Sequence, residues 1–268
     1  MRKKGIISIG KFGQEQANED CALSKENLIA VSDGAGGGGI YADLWAAFLL
    51  NKLPDEAITS FEELDNWVDS IWEEFYVDCE NRAKRAGGMV LSKFYDEGSF
   101  ATLAAVWRIG NVCKWITYGD SVVFCFHKES GVLEYSFTKL VDFDKPPYLI
   151  NYKDRLHETG FKSGEFRIDS QTCIFCVTDA LAHYILMMYE VAHKELFAQE
   201  LSMSEFKCYK NANYIKVAMA MRKVDFDKDV LSKLFNCLGH ATNFQRHIKA
   251  LYRKGLIACD DYSLAYLS

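Results

Sequence analysis

Residues 30–48 read AVSDGAGGGGIYADLWAAF: an apolar strand ending on Asp33, five glycines within six residues, then a run with helical spacing. Tyr41, Leu44, Trp45, Phe48 and Leu49 recur three and four residues apart, the period of a helix that buries one face. Three uses for a glycine loop between such a strand and helix are open. It can cradle a phosphate, because these loops aim backbone N–H groups at anions and the helix N-terminus favours negative charge. It can leave room beside a metal held by Asp33 at the strand's end. It can also be a turn and nothing more. The nucleotide version of the first reading fails: there is no G-x-x-x-x-G-K-[ST], and no G-x-G-x-x-G followed by a suitably placed ribose-binding acid.

The chain has 268 residues, 49% hydrophobic and 25% charged, an ordinary globular composition. Its formal charge of −6 comes from 37 acidic and 31 basic residues, with no dense basic tract. That argues against nucleic acid or an anionic membrane as the main partner. No apolar run approaches the roughly eighteen residues that would span a bilayer, and the N-terminal MRKKGIISIGKFG lacks a long apolar signal region. The expected compartment is the cytoplasm. Nine cysteines without regular spacing fit free thiols in a reducing compartment. The C-x-x-C of Cys173 and Cys176 falls in a strand-like run, where positions three apart point to opposite faces, so it reads as structural.

Working outward, residues 5–9 and 20–33 read as strands, the second run folded about Lys25, Glu26 and Asn27. A long helix is expected after Asp55, with Ile58, Phe61, Leu64, Trp67, Val68, Ile71, Trp72, Phe75 and Tyr76 on one core-facing stripe. GSFATLAAVWRI and NVCKWITYGDSVVFCFH read as three strands, the last two joined by a Gly-Asp-Ser turn. EFRIDSQTCIFCVTDAL adds one or two more, residues 181–254 read as mostly helical, and DDYSLAYLS closes with a short strand. Nothing marks a linker, so residues 1–268 read as a single domain. Strands and helices come in blocks instead of alternating, which favours an α+β layered fold over a doubly wound sheet.

Three aspartates share one setting at the end of an apolar strand: Asp33, Asp179 and Asp260. A sheet delivers such side chains from remote parts of the chain to one rim. Asp120 in the YGDS turn and the Asn18-Glu19-Asp20 triplet add further oxygens. Hard oxygen donors without a matching His or Cys set suit Mg²⁺ or Mn²⁺ over zinc or copper.

Taken in order, SDGAGG, GSFAT, YGDS, VTDAL and DDYS, with NEDCAL near the start, resemble the motifs of the PPM-type metal-dependent protein phosphatases, the type 2C serine/threonine phosphatases. The resemblance runs from about Gly5 to Leu267 and is closest to compact bacterial members. It implies a four-layer α/β/β/α sandwich with two central antiparallel sheets flanked by helix pairs, and a two-metal site at one end. By the same resemblance Asp33 would bridge both metals and Gly34 would lend its carbonyl to one. Asp179 and Asp260 would ligate the other, and Glu19 would act through water with Asp20 close by. Asp120, and more loosely the segment Asp142-Phe143-Asp144-Lys145-Pro146, correspond to a third-metal region. The implied cofactors are two Mg²⁺ or Mn²⁺ ions, with a third in some bacterial members. The implied activity is hydrolysis of phosphoserine and phosphothreonine in proteins by in-line attack of a water activated by two metals. Phosphoprotein substrates, and a serine/threonine kinase or its targets, are the expected partners.

Three positions depart from the family pattern. Where relatives carry an Arg that grips the substrate phosphate through a bidentate fork, this chain has Glu15; either Lys11, Arg2 or Lys3 compensates, or the substrate binds through metal contacts alone. Ala35 follows Asp33-Gly34 where eukaryotic relatives often have a candidate general-acid His and many bacterial ones Met, so leaving-group protonation would fall to metal-bound water. Ala180 replaces a glycine after Asp179, which is tolerated if φ stays negative. Glu15 also sustains an alternative of a different class, a catalytically weak phosphatase-like binding or regulatory module.

Overall fold

Alternating burial along the strands resolves into two five-stranded antiparallel sheets packed face to face. The computed structural model describes residues 4–14, 17–37, 39–206 and 211–267. The chain begins with β1 (Lys4–Ile9), β2 (Asp20–Ser24) and β3 (Leu28–Asp33), then α1 (Ala42–Lys52), α2 (Phe61–Ala86) and α3 (Gly88–Asp96). Next come β4 (Phe100–Ala101), β5 (Leu103–Ile109), β6 (Val112–Tyr118), β7 (Val122–His127), β8 (Val132–Tyr135), β9 (Ile150–Asn151), β10 (Phe161–Arg167) and β11 (Thr172–Val177). A helical block follows: α4 (Asp179–Ala192), α5 (Ala198–Phe206), α6 (Ala212–Met219), a π-helical turn at Phe226–Leu231, α7 (Ser232–Phe235) and α8 (Ala241–Arg253). β12 (Tyr262–Leu267) is the last strand.

The first sheet has the order β1-β12-β11-β7-β8 and the second β10-β6-β5-β3-β2; β4 and β9 form a small ribbon of their own. Between the sheets lies a core built from alternate residues of both, including Ile29, Val31, Val106, Val123, Ile174 and Ala265. Helix α4 packs on the outer face of the first sheet, and α1 and α2 cover the outer face of the second. These are the four layers expected from the motifs. β11 shows why its sequence is apolar throughout: Cys173, Phe175 and Val177 join the helix-side core, while Ile174 and Cys176 join the inter-sheet core. The C-x-x-C pair therefore points to opposite faces, and the eight cysteines among the described residues are free thiols.

Two features differ from the sequence reading. The helix expected after Asp55 starts six residues later, because Ser60 Oγ accepts the Glu63 N–H while the Glu63 carboxylate accepts the Thr59 N–H. That reciprocal cap fixes the start and leaves Ile58 buried but outside the helix. The Gly-Asp-Ser turn joins the two expected strands, but not within one sheet: β6 belongs to the second sheet and β7 to the first. At this crossing Gly119 has φ of +97°, the left-handed region that favours glycine. No helix among the described residues is long and apolar enough to cross a membrane.

Candidate active site

The crossing from β6 to β7 places Asp120 at the same end of the sandwich as the C-terminal ends of β3 and β11. Asp33 closes β3 and stands opposite Asp20, the first residue of β2, in the antiparallel register. Asp179 is the first residue of α4, immediately after β11, and Asp260 sits just before β12. Asp33, Asp120 and Asp179 line one cleft of about 340 Å³ together with Ala35, Thr102 and residues of the 143–149 segment. The electrostatics carry the same message. Burial first, then the charges of Asp20, Asp179, Asp120 and Asp260, hold the Asp33 carboxyl well above the usual carboxylate range. Asp179 is raised in the same direction by burial, then by Asp120, Asp260 and Asp20. Five carboxylates from five separate segments are thus close enough to oppose one another's ionisation.

A set of hydrogen bonds holds these acids in place. Thr102 exchanges backbone and side-chain bonds with the end of β3: the Asp33 N–H donates to Thr102 Oγ1 at 3.1 Å, and the Thr102 N–H donates to the Asp33 carbonyl at 2.8 Å. Thr102 Oγ1 is also 2.6 Å from Ser121 Oγ, the residue after Asp120, so one hydroxyl pair ties Asp33 to the Asp120 turn. Thr178, just ahead of Asp179, donates to Asp20 Oδ2 at 2.7 Å and accepts the Ser263 N–H at 3.0 Å. Asp261 accepts the backbone N–H groups of Lys11 at 2.7 Å and Glu19 at 2.8 Å, joining the approach to β12 to the chain entering β2. Sequence reasoning passed over Thr102, Ser121, Thr178 and Asp261 as holding residues, although each lies beside or within a motif it singled out.

The glycine loop works by close approach. A Cβ on Gly34 would lie 2.6 Å from the Ala42 carbonyl oxygen and 2.7 Å from that of Glu19, both backbone atoms. A Cβ on Gly36 would strike the Glu19 carboxylate itself. The loop thus lets α1 start directly against β2 and makes room for Glu19, whose carboxyl is raised chiefly by burial and lowered in part by Lys11 and the Gly36 N–H.

The donor set fits hard divalent cations. Asp20 is buried and accepts the Thr178 hydroxyl, and its carboxyl is raised chiefly by burial. Buried acids that raise one another in this way oppose their common ionisation, and a divalent cation among them would offset that repulsion. Among the described residues, no three of these carboxylates bring ligand oxygens within 4.8 Å of one another, so they line the cleft instead of closing on a point.

The remaining candidates fall as follows. Asp144, Lys145 and Pro146 line the cleft opposite Asp120, and Asp142 turns aside to pair with Lys145 at 2.6 Å. Phe143 is stacked on Phe137 with ring centroids 4.1 Å apart and meets His183 of α4 edge-on, which fixes that wall. Ala35 lines the cleft. Ala180 lies within α4 with no positive φ, so the glycine usual there is not required. Glu15, Arg2 and Lys3 lie outside the described residues.

No protein-family model matches the sequence, and no curated protein matches it significantly. Solved structures do match in fold. The serine/threonine phosphatase PstP/Ppp of Mycobacterium tuberculosis is 15% identical with a TM-score of 0.56, over 100% of this chain and 98% of that one. A structure of the PstP catalytic domain in complex with two manganese ions is 16% identical with a TM-score of 0.53, over 100% and 97%. The serine/threonine phosphatase Stp1 from Staphylococcus aureus is 11% identical with a TM-score of 0.54, over 100% and 95%. At these identities the likeness is one of fold, and it extends over the whole chain.

Proposed function

We propose that the protein is a Mg²⁺- or Mn²⁺-dependent phosphatase acting on phosphoserine and phosphothreonine in proteins. One observation carries this reading: in a fold like that of bacterial serine/threonine phosphatases, Asp33, Asp120 and Asp179 line one cleft, and Asp20 and Asp260 lie near enough to raise the carboxyls of Asp33 and Asp179. Asp33, Asp179 and Asp260, with the Gly34 carbonyl, would hold two ions; Glu19 and Asp20 would support them, and Asp120 with Asp144 would serve a third. Bound there, the cations would supply Lewis acidity that withdraws charge from the phosphoryl oxygens and eases deprotonation of the attacking water.

The chain's own residues do the positioning. Thr102 and Ser121 fix Asp33 relative to Asp120, and Thr178 fixes Asp20 relative to Asp179. Lys145, on the cleft wall, would meet an entering phosphate by leaving its ion pair with Asp142, a role suited to this chain because Glu15 stands where family members carry an arginine. Pro146, Pro147 and Leu149 give the same wall an apolar edge on which a peptide backbone can lie. The free thiols suit a reducing compartment such as the cytoplasm.

The test is release of phosphate from a phosphothreonine peptide with Mn²⁺, with EDTA, and by Asp33→Asn. The expected result is turnover that EDTA abolishes and the variant loses by about a thousandfold, equivalent to roughly 4 kcal/mol. Mn²⁺ binding without phosphate release from any phosphopeptide would instead favour the phosphatase-like binding module that Glu15 suggests.

A further inference from the structure

Away from the acidic cleft, one group of side chains joins three different donor chemistries. Cys125 and His127 stand two residues apart on β7 and so share a face of the sheet. Glu134, on the edge strand β8, lies directly opposite Cys125 in the antiparallel register. Cys125 Sγ is 3.6 Å from His127 Nε2, which is 2.6 Å from Glu134 Oε1. All three ligand atoms lie within 4.8 Å of one another. Cys125 is buried in the inter-sheet core, whereas the side chains of His127 and Glu134 are 29% and 50% exposed, so the group is reached from solvent on one side.

A hydrogen-bonded His–Glu pair beside a buried thiol is the plainest description of this group, but its geometry goes further. A tetrahedral zinc ion, about 2.3 Å from sulfur and about 2.0 Å from nitrogen, needs an S···N edge of about 3.5 Å. The observed edge is 3.6 Å. One imidazole nitrogen, Nε2, faces both partners, and the strand register fixes the Cys and Glu positions independently of any side-chain choice. The half-exposed Glu134 has to retreat by only about 0.7 Å from its hydrogen-bond distance to reach a tetrahedral edge. Thiolate and imidazole select zinc-class ions, whereas Mg²⁺ and Mn²⁺ prefer the all-oxygen cleft.

We propose that Cys125, His127 and Glu134 form a second metal site, one for Zn²⁺, with a water completing the tetrahedron. On binding, the thiol proton leaves to solvent as the S–Zn bond forms, Nε2 and Oε1 donate lone pairs, and no oxidation state changes. The ion clips the edge strand β8 to β7. Cys125 lies five residues along from Asp120, about 17 Å at strand rise, so this site is separate from the acidic cleft and does not depend on the function assigned there.

The test is a Co²⁺ titration of the reduced full chain, followed by the near-ultraviolet thiolate-to-cobalt charge-transfer band, which oxygen ligands do not produce. The expected result is a band that saturates at one ion per chain, is displaced by Zn²⁺, is lost in Cys125→Ser and is unchanged in Asp33→Asn. Glu134→Gln, at a half-exposed position that does not endanger folding, is expected to raise the midpoint at least about tenfold, since even outer-shell partners of a metal are worth that much. Absence of the band, or a midpoint that Glu134→Gln leaves unchanged, overturns the proposal.

Discussion

The two ends of α4 carry carboxyls displaced in the same direction by different company. Asp179, at the first residue, is raised by burial and then by Asp120, Asp260 and Asp20. Glu190, three turns further on, is pushed up to about 8 by burial and then by Glu200, and neither of its oxygens has a hydrogen-bond partner among the described residues. A raised carboxyl therefore does not mark a site by itself. Asp179 opens on a cleft beside other strand-end acids, whereas Glu190 lies within a helix buried on nearly every side. The company and the opening distinguish the proposed ligand set from a buried acid that survives as a neutral group.

Neutralising each end separates the two cases. Asp179→Asn is expected to abolish phosphate release by about a thousandfold while leaving the thermal midpoint unchanged or raised, because the amide keeps the shape and removes a charge that its neighbours oppose. Loss of activity accompanied by unfolding would erase the contrast. Glu190→Gln is expected to leave activity alone and to act on stability through pH. With the folded pKa above the unfolded value of 4.5, the protonated carboxyl's contribution is full below about pH 4.5 and lost as pH rises through about 8. The variant, which cannot ionise, should match the parent at pH 4 and melt about 5 °C higher at pH 8. Equal melting curves at both values would mean that Glu190 finds a partner. Thr178→Val, which removes the hydroxyl between Asp20 and Ser263, should have the smallest effect, about 1–2 kcal/mol of stability. A drop in Mn²⁺ affinity accompanying it would tie that hydroxyl to the acidic end of α4.

The gathering of Asp33, Asp179 and Asp260 was legible in the sequence because each follows or precedes an apolar run that reads as a strand, and strand ends are where a sheet gathers remote residues. Blocks of strands and helices favoured an α+β layered fold over a doubly wound sheet; the four layers themselves came from the family resemblance of the ordered motifs. The holding residues were not legible. The role of Asp261 exists only once Lys11 and Glu19, some 240 or more positions away, bring their N–H groups to its carboxylate. The sheet crossing at Gly119 was hidden because an apolar strand reads alike whichever sheet it joins. Cys125, His127 and Glu134 looked unrelated until the register of β7 and β8 set the Cys and Glu side by side.

Calorimetric titration with Mn²⁺ decides whether the clustered aspartates hold hard divalent cations. Saturable binding of two ions at neutral pH is expected, with a thermal midpoint that rises with Mn²⁺ and loss of both in Asp33→Asn. Absence of binding at millimolar Mn²⁺, or binding that Asp33→Asn leaves intact, would contradict this expectation.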